Sequence, residues 1–250
     1  MHLMNLEKER FYLQQEYLSD IELYYTTKIN NNNVELNGDE FKHAYKVMRH
    51  SVGDVLHITD GNGNYFETII STISNNYIIA DIKKRKSYTN TFCNIYFCFP
   101  RLKSSDRFEF EIEKLVELGI TNFVIFNSER TIPKGEKLER WNKIALTAMK
   151  QSLRTYLPKF EYLNSIVKVN LLNGQKLIFD QKGECSFISY LKEIKAKTTN
   201  IRYYFIFGPE GGLSNSEIDL IENSKTLTLT SNRLRAETAV IATATAITLI

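Results

Sequence analysis

The feature of this sequence that most constrains its fold is a pair of strand–loop–helix units within residues 203–241. The first unit begins with Tyr203 to Phe207, an aromatic and β-branched run that is typical of a buried strand. The segment Gly208 to Gly212 ends this strand, and its glycines would let the backbone approach a ligand with no Cβ in the way. Ser214 and Glu217 have the spacing of a capping box, which predicts a helix start. The unit therefore has the outline of a small-molecule site.

The second unit repeats this order of elements. Thr226 to Thr230 is predicted as the strand, Ser231 to Arg235 as the loop, and Ala236 to Ile250 as a terminal helix rich in alanine and threonine. Neither unit contains GxGxxG or GxxxxGK[ST], which argues against a dinucleotide-binding fold or a P-loop. The glycines by themselves fit an ordinary turn between a strand and a helix equally well, so the loops alone do not assign a function.

The remaining pattern predicts two domains, at residues 1–85 and 86–250. The first reads as a small β-rich domain, because short strand-like runs alternate with polar turns. Its predicted elements are the strands 11–13 and 34–36, a helix from Asp39, as the cap, through Met48, and the strands 55–59, 65–71 and 77–83. The turn at Asp60–Gly63 is a strong hairpin signal between two of these strands.

From Phe92 onward strands alternate with helices, which predicts an α/β domain with a parallel sheet. Ser105 is the predicted cap of the first helix, and Gly119 is its predicted end. The other predicted elements are the strand 92–99, the strand 123–126, a helix from about 136 to about 156, the strand 176–180 and a helix at 186–195.

Basic residues are candidates for RNA contacts in two places, although both also fit a solvated surface. Lys83 to Lys86 form a run at the predicted domain junction, where a solvated linker and a phosphate-contacting hinge are both open. Arg140, Lys143, Lys150 and Arg154 recur at three- and four-residue steps on the helix that ends near residue 156. The net charge of +3 is too small to indicate nucleic-acid binding by itself.

The composition predicts a cytoplasmic protein with no membrane span and no metal site. The cysteines, Cys93, Cys98 and Cys185, are an odd number without metal-ligand spacing, which favours a reducing compartment. The N-terminus lacks a basic lead followed by an apolar run, and no stretch reaches the roughly 18 apolar residues of a membrane helix.

Taken together, the two loops GPEGG and LTSNRLRAETA resemble the cofactor loops of the RsmE family, SPOUT-class methyltransferases that act on uracil N3 of small-subunit ribosomal RNA. Further segments occur in the order of that family, and they cover most of the chain. These segments are HAYKVMRHSVGDVLHITDGNGNYF at 43–66, KSSDRFEFEIEKLVELGI at 103–120, SERT at 128–131 and ERWNKIALTAMKQSLRTYLPKF at 139–160. The resemblance implies a PUA-like N-terminal β-barrel, a SPOUT α/β domain with a C-terminal trefoil knot, and a homodimer. It implies 16S ribosomal RNA in the small ribosomal subunit as the partner.

The resemblance further implies that S-adenosyl-L-methionine binds between the two loops. The implied cofactor-binding residues are Phe207, Gly208, Pro209, Glu210, Gly211, Gly212, Leu229, Thr230, Asn232, Leu234, Arg235 and Thr238. Arg49, Gln151 and Arg154 are the corresponding candidates for binding RNA.

Methylation of uracil N3 needs a group that accepts the N3 proton and a group that stabilises the charge spreading onto the carbonyl oxygens. Arg235 is the candidate for the charge, and Glu237 and Glu210 are the candidates for the proton. A carboxylate near a helix N-terminus is also explained by capping and by the helix dipole, so both readings of each glutamate stay open.

The second loop departs from the commonest family pattern, L-G-x-R-I-L-R-x-E-T-A. Thr230 replaces the glycine, Asn232 the first arginine and Arg233 the isoleucine. Two alternatives therefore remain beside a uracil-N3 methyltransferase: a SPOUT methyltransferase with another RNA target, or an RNA-binding module that has lost methyl transfer. Donor binding separates the module from the enzymes, and the identity of the modified nucleotide separates the enzymes from each other.

Overall fold

Two β-sheets organise this computed structural model, which describes residues 21–196 and 201–249. The strand predicted at 11–13 lies outside the described residues. The elements of the first part are β1 Leu23–Tyr25, β2 Asn33–Asn37, α1 Gly38–Lys42 with a π-helical continuation His43–Val47, β3 Val55–Thr59, β4 Asn64–Ile73 and β5 Tyr77–Ser87. The elements of the second part are β6 Ile95–Pro100, α2 Ser105–Glu117, β7 Asn122–Phe126, α3 Leu138–Gln151, β8 Lys159–Leu163, a 3-10 helix Ile166–Leu171, β9 Gln175–Phe179, β10 Cys185–Ser186, α4 Phe187–Ala196, β11 Tyr203–Phe207, α5 Asn215–Asp219, β12 Ser224–Thr228 and α6 Ala236–Leu249.

The first sheet has the order β1-β3-β4-β5-β2. Its pairs are antiparallel except for β1 and β3, and β3 and β4 form the predicted hairpin with Thr59 opposite Tyr65. The backbone N–H of Glu35 in β2 donates to the carbonyl of Lys28, just after β1, and so links the two edges of the sheet. This contact closes the sheet into a barrel around a small core of buried side chains, which are Tyr24, Val34, Leu36, Phe41, Ala44, Leu56, Ile58, Phe66, Ile70, Ile78 and Ala80.

The second sheet has seven strands in the order β10-β12-β9-β11-β6-β7-β8, and every neighbouring pair is parallel. The central strands β9, β11, β6 and β7 are buried on both faces, as continuous apolar runs such as Tyr203–Phe207 predict. The helices α2, α3 and α6 pack on one face, where Phe108, Trp141 and Val240 join the main core. The 3-10 helix covers the other face through Ile166 and Val169, and α5 with the turn after it covers that face through Ile218 and Ile221. The predicted α/β domain with a parallel sheet is confirmed.

Two predicted helix caps are wrong by one or two residues. α1 starts after Asn37, and Asp39 lies in its first turn, where its carboxylate pairs with Lys42 at 2.9 Å. α2 is capped by Ser104, whose hydroxyl accepts the N–H of Arg107, rather than by Ser105. At α2 the hydroxyl of Ser104 reaches an N–H group of the first turn one residue before the predicted cap. At α1 the extended backbone ends at Asn37, two residues before the predicted cap.

Three other boundaries differ from the sequence prediction. α3 ends at Gln151 rather than near residue 156, because Leu153 takes a left-handed φ of 55° and leaves the helix. β6 begins at Ile95 rather than at residue 92, since a turn bond from the N–H of Ile95 to the carbonyl of Phe92 precedes it. β12 covers 224–228, two residues earlier than predicted, so that Leu229 and Thr230 belong to the loop.

The basic run Lys83–Lys86 lies in β5 and is not a linker, because β5 continues to Ser87 opposite Asn64. The barrel instead meets the α/β domain through the segment after α3. The N–H of Gly63 donates to the carbonyl of Thr155, and the N–H of Leu157 donates to the carbonyl of Gly61. These bonds join the β3–β4 hairpin to the chain that leaves α3, and they fix how the two parts are oriented.

A largely buried ion pair adds to this junction. Lys150 on α3 reaches Glu40 on α1 at 2.6 Å, and less than a fifth of either side chain is exposed. The other carboxylate oxygen of Glu40 accepts the N–H of Tyr25 at 3.1 Å. No helix in the described residues is both long and apolar enough to cross a membrane.

The contacts at this junction predict that alanine destabilises the protein much more at one glycine of the barrel than at another. Gly63 and Gly53 have similar left-handed φ values, +93° and +96°, but a Cβ on Gly63 would collide with the ring of Tyr156, whereas a Cβ on Gly53 would meet nothing within 4 Å. We expect Gly53→Ala to lower the free energy of unfolding by about 1 kcal/mol, the cost of a left-handed alanine. Gly63→Ala should cost about 1–3 kcal/mol more, because the ring has to move. Urea denaturation of both variants measures the difference, and equal losses would contradict this account of the junction.

Candidate functional site

A cavity of about 490 Å³ opens at the carboxyl ends of three adjacent strands, β11, β9 and β12. β9 precedes the other two strands in sequence but lies between them in the sheet, so the chain order is broken at this point. Open parallel sheets bind ligands at such a point, because the loops that leave neighbouring strands separate and leave a crevice. The two loops identified from the sequence form two of its walls, after β11 and β12.

Ten of the twelve predicted cofactor-binding residues line this cavity. They are Phe207, Gly208, Pro209, Glu210, Gly211, Gly212, Leu229, Thr230, Asn232 and Leu234. Arg235 and Thr238 do not line it, and both residues are exposed at the start of α6. The departure at Thr230 is accommodated locally, because its hydroxyl donates to the carbonyl of Asn232 at 2.8 Å.

The glycine loop folds back on itself so closely that side chains are excluded from it. A Cβ on Gly208 would stand 2.7 Å from the backbone nitrogen of Leu213 and 2.9 Å from the carbonyl carbon of Gly212. Gly212 has a left-handed φ of +71°, and its N–H donates to the carbonyl of Pro209 at 2.8 Å. The glycines are therefore required for the shape of the loop as well as for the approach of a ligand.

The predicted capping box at the start of α5 is confirmed, and it also reaches a second loop. Ser214 accepts the N–H of Glu217, and one carboxylate oxygen of Glu217 accepts the N–H of Ser214 at 2.9 Å. The other oxygen of Glu217 accepts the N–H of Glu129 at 2.7 Å. A single buried carboxylate thus ties the glycine loop to the segment that follows β7.

Arg130, in that same segment, lines the cavity and was not predicted as a site residue. Its guanidinium donates to the carbonyl of Gly211 at 2.6 Å and lies 3.5 Å from the carbonyl of Leu213. The sequence does contain an indication of this role, because Arg130 lies in SERT, shortly after a predicted strand. All parallel strands end at the same edge of the sheet, so a residue at this position can reach the loops of neighbouring strands.

The segment after β9 was also missed, and it forms the third wall of the cavity. Phe179, Asp180, Gln181 and Lys182 line it beside Leu227 and Leu229. The sequence predicted the strand that precedes this segment, but nothing in it indicated that β9 would lie between β11 and β12. Apolar side chains therefore line the cavity together with polar ones such as Asp180 and Gln181, which suits a ligand with a flat ring and polar edges.

The three predicted catalytic residues lie in different surroundings. Glu210 lines the cavity, and one of its oxygens accepts the N–H of Lys103 at 2.9 Å. Glu237 is buried and faces α2, where its carboxylate lies 3.8 Å from Nε of Arg107. Arg235 is exposed, and its guanidinium has no hydrogen bond or ion pair with another described residue.

The predicted RNA-binding residues are spread over two faces. Arg49 is exposed just beyond the π-helical turn with a left-handed φ of 58°. Gln151 is exposed at the last position of α3. Arg154 donates two hydrogen bonds, of 3.1 and 2.7 Å, to the carbonyl of Glu117 at the end of α2. Arg154 therefore stabilises a helix end in this structure, whereas the side chains of the other two are exposed to solvent.

Among residues 21–196 and 201–249 no group of three or more His, Cys, Asp or Glu side chains has the arrangement of a metal site. The lining of the cavity contains no cysteine and no histidine, and it combines glycine backbone, apolar side chains and charged or amide side chains such as Asp180, Glu210 and Asn232.

The model of the RNA methyltransferase domain family matches residues 90–248, and that of the RNA methyltransferase PUA domain matches residues 36–83. The chain therefore belongs to the RNA methyltransferase family. The expected PUA-like N-terminal domain is confirmed.

The similar curated proteins have one name in common. Ribosomal RNA small subunit methyltransferase E of Rickettsia conorii is 29% identical over 217 residues, which cover 84% of this chain and 87% of that protein. The protein of the same name from Bacillus subtilis is 26% identical, with coverages of 82% and 85%.

Solved structures share the fold over nearly the whole chain. The ribosomal RNA small subunit methyltransferase E of Neisseria gonorrhoeae, bound to S-adenosyl methionine, has a TM-score of 0.79 at 24% identity and covers 91% of this chain and 96% of its own. A probable rRNA-methyltransferase from Porphyromonas gingivalis has a TM-score of 0.77 at 27% identity, with coverages of 90% and 96%.

The bonds of Arg130 predict that it holds the glycine loop in place. We expect Arg130→Ala to raise the rate of amide hydrogen exchange in residues 208–213 by about 10- to 100-fold, since losing hydrogen bonds from a charged donor costs about 1.5–3 kcal/mol. Arg101→Ala is the matched control, because Arg101 also donates to two carbonyls, those of Lys134 and Gly135, but outside this loop. Mass spectrometry of deuterium uptake measures both variants. Unchanged exchange in the loop of Arg130→Ala would show that the loop is held by other contacts.

Proposed function

We propose that this protein transfers a methyl group from S-adenosyl-L-methionine to N3 of a uracil in 16S ribosomal RNA. The observation that carries the proposal is the glycine-lined cavity at the ends of β11, β9 and β12, in a chain that belongs to the RNA methyltransferase family. Its relatives from Rickettsia conorii and Bacillus subtilis are named ribosomal RNA small subunit methyltransferase E. The related structure from Neisseria gonorrhoeae is bound to S-adenosyl methionine.

The residues of the cavity fit this donor. Phe179, Phe207, Leu227 and Leu229 offer apolar surface for a flat adenine ring, and the glycine loop offers backbone groups with no Cβ in the way. Asp180 and Asn232 add polar groups at the wall. When bound, the donor supplies a methyl group that a sulfonium already activates, so the protein needs no nucleophilic side chain. The protein mainly has to hold donor and acceptor in line.

The protein's own chemical task is to handle the N3 proton and the charge that its loss creates. We propose that Glu237 accepts this proton in preference to Glu210. One oxygen of Glu210 accepts the N–H of Lys103, whereas neither oxygen of Glu237 has a hydrogen-bond partner among the described residues: Oε2 is buried, and Oε1 lies 3.8 Å from Nε of Arg107. Arg235, two residues before Glu237, is exposed and can place its guanidinium on a uracil carbonyl oxygen, where negative charge develops.

For the RNA, we propose Arg49 and Gln151 as contacts, because both side chains are exposed on elements that the domain junction holds together. Arg154 stays a weaker candidate, because it would have to exchange the carbonyl of Glu117 for a phosphate. The run Lys83–Lys86 on β5 extends the basic surface of the barrel.

The assembly and location of the protein are further parts of the proposal. We propose a homodimer in the cytoplasm, with a trefoil knot at the C-terminal end of the α/β domain, as the resemblance to SPOUT methyltransferases implies. The domain division at 85 and 86 is proposed to shift slightly toward the α/β domain, because β5 continues to Ser87 and the family model begins at residue 90.

Nucleoside analysis by mass spectrometry tests the proposed function directly. Ribosomal RNA from cells with the protein should contain N3-methyluridine in the small-subunit fraction, and RNA from cells without it should lack that nucleoside until the purified protein and donor are added. A different methylated nucleoside would favour another RNA target. Donor binding with no methylated product would favour an RNA-binding module.

The geometry of the glycine loop predicts the effect of one added methyl group on donor binding. We expect Gly208→Ala to weaken binding of S-adenosyl-L-methionine at least tenfold, because the new Cβ forces apart backbone at 2.7–2.9 Å, which costs about 1–3 kcal/mol. Gly135→Ala is the control outside the site, since a Cβ there meets nothing within 4 Å. Calorimetric titration measures both affinities. Equal affinities would remove the loop from the donor site.

A second prediction concerns Arg235 and the rate of the chemical step. We expect Arg235→Ala to slow single-turnover methyl transfer by about 100- to 1000-fold, because the guanidinium stabilises charge that exists only as N3 loses its proton. The melting temperature should stay near that of the wild type, since the exposed side chain has no bond to another described residue. Arg235→Lys should restore only part of the rate, because an ammonium cannot reproduce the planar fork. A wild-type rate in the alanine variant would refute this role.

A further inference from the structure

Two buried carboxyl groups meet where α2 packs against α6, and neither the donor site nor a structural bond accounts for them. Glu111 of α2 is only 1% exposed, and neither of its carboxyl oxygens has a hydrogen-bond partner among the described residues. A buried carboxylate without partners is costly, since the charge loses its hydration and gains nothing in return. The group therefore requires an explanation.

Glu237 supplies the other half of this arrangement. It lies in the first turn of α6, is 8% exposed, and has one buried oxygen, Oε2, without a hydrogen-bond partner in the described part of the chain. Its other oxygen, Oε1, is 3.8 Å from Nε of Arg107, which is an ion pair but too long for a hydrogen bond. Three carboxyl oxygens without partners are thus gathered at one contact between two helices.

The charges around Glu111 favour its neutral form. Burial raises the pKa of the Glu111 carboxyl well above its ordinary value, and the carboxylates of Glu237 and then Glu210 raise it further. Arg107, one turn earlier on α2, contacts Glu237 rather than Glu111. On the neighbouring helix α3, Arg140 is held by Glu109. A protonated carboxyl carries an O–H that needs an acceptor, and a carboxylate oxygen is the best one available.

We propose that Glu111 and Glu237 carry a single proton between them, directly or through one water molecule, and that Glu111 is the positioning residue that orients the Glu237 carboxylate. Sharing one proton removes the repulsion between two like charges and gives partners to oxygens that otherwise have none. The O–H of Glu111 then holds one oxygen of Glu237, and the oxygen beside Arg107 is left to face the substrate.

The catalytic consequence rests on the proposed function. The N3–H bond of uracil breaks, an O–H bond forms on the free oxygen of Glu237, and the electron pair of that N–H bond stays on N3. Glu111 does not touch the substrate. The hydrogen bond from its O–H fixes the orientation of the Glu237 carboxylate, which otherwise has only the ion pair with Arg107 to orient it.

The first test needs neither donor nor RNA and measures stability against pH. A carboxyl whose pKa is raised in the folded state stabilises the protein below its unfolded pKa, and this stability is lost as the pH rises through the folded pKa. Glu111→Gln keeps the shape and a donor group but cannot ionise. Its melting temperature should therefore rise relative to the wild type by about 4 °C per pH unit from pH 5 upward and then level off.

The matched controls are on the same helix and on its partner. Glu113→Gln should follow the wild type at every pH, because Glu113 is partly exposed and paired with Lys114 at 2.7 Å. In a Glu237→Gln background, Glu111→Gln should increase the melting temperature less as the pH rises, since one of the two neighbouring charges is then absent. The proposal would be overturned if the melting temperatures of Glu111→Gln and the wild type differed by the same amount at every pH. It would also be overturned if the difference grew equally with pH in the wild-type and Glu237→Gln backgrounds.

Infrared spectroscopy gives a direct second readout. The carbonyl band of a protonated carboxylic acid should persist in the wild type at pH 7, and it should be absent from Glu111→Gln. Absence of this band from the folded wild type would show that no proton is held there, whatever the stability of the variant.

Single-turnover methyl transfer separates the positioning role from folding. We expect Glu111→Gln to keep most of the rate and Glu111→Leu to lose at least tenfold in rate with little change in donor affinity, because leucine fills the space but cannot hold Glu237. Equal rates in the two variants would exclude a positioning role. If the wild type itself transfers no methyl group, the proposed function fails, while the pH dependence and the infrared band still decide whether the proton is shared.

Discussion

The site depends on the position of β9 between β11 and β12 in an entirely parallel sheet. Parallel strands end at the same edge, so this placement brings three loops together that are separated by up to about 50 residues in the chain. The chain order is interrupted there, and the interruption separates the loops enough to leave a cavity of about 490 Å³. Every contact attributed to the donor follows from this one arrangement.

Within that arrangement the glycine loop is shaped from two sides. From inside, the backbone packs so closely around Gly208 that a Cβ would stand 2.7 Å from the nitrogen of Leu213. From outside, Arg130 and Glu217 hold the loop to the segment after β7 by charged hydrogen bonds of 2.6 and 2.7 Å. Bonds of this kind are the stronger ones in proteins, and they hold the loop in the shape that a ligand meets.

The contact between α2 and α6 lies at the start of the terminal helix. Arg235 and Glu237 follow the second loop, with Arg235 exposed and Glu237 buried against α2. The chain that enters α6 thus presents an arginine to solvent and buries a glutamate two residues later. The Gly63–Thr155 and Lys150–Glu40 contacts hold the barrel against the α/β domain.

The sequence by itself determined the alternation of strands and helices, the β3–β4 hairpin, the capping box of α5 and ten of the residues that line the cavity. These features are local, because periodicity, turn residues and caps act within a few residues of each other. The observed cap of α2 at Ser104 and the observed end of α3 at Gln151 differ from the predicted positions by a few residues, since neighbouring residues compete to begin or end a helix. Only the tertiary structure decided that residues 179–182 and Arg130 join the site, that Arg154 binds the end of α2, and that Glu111 is buried beside Glu237. Strand order and helix packing join residues far apart in the chain, and no local pattern records which distant residues will meet.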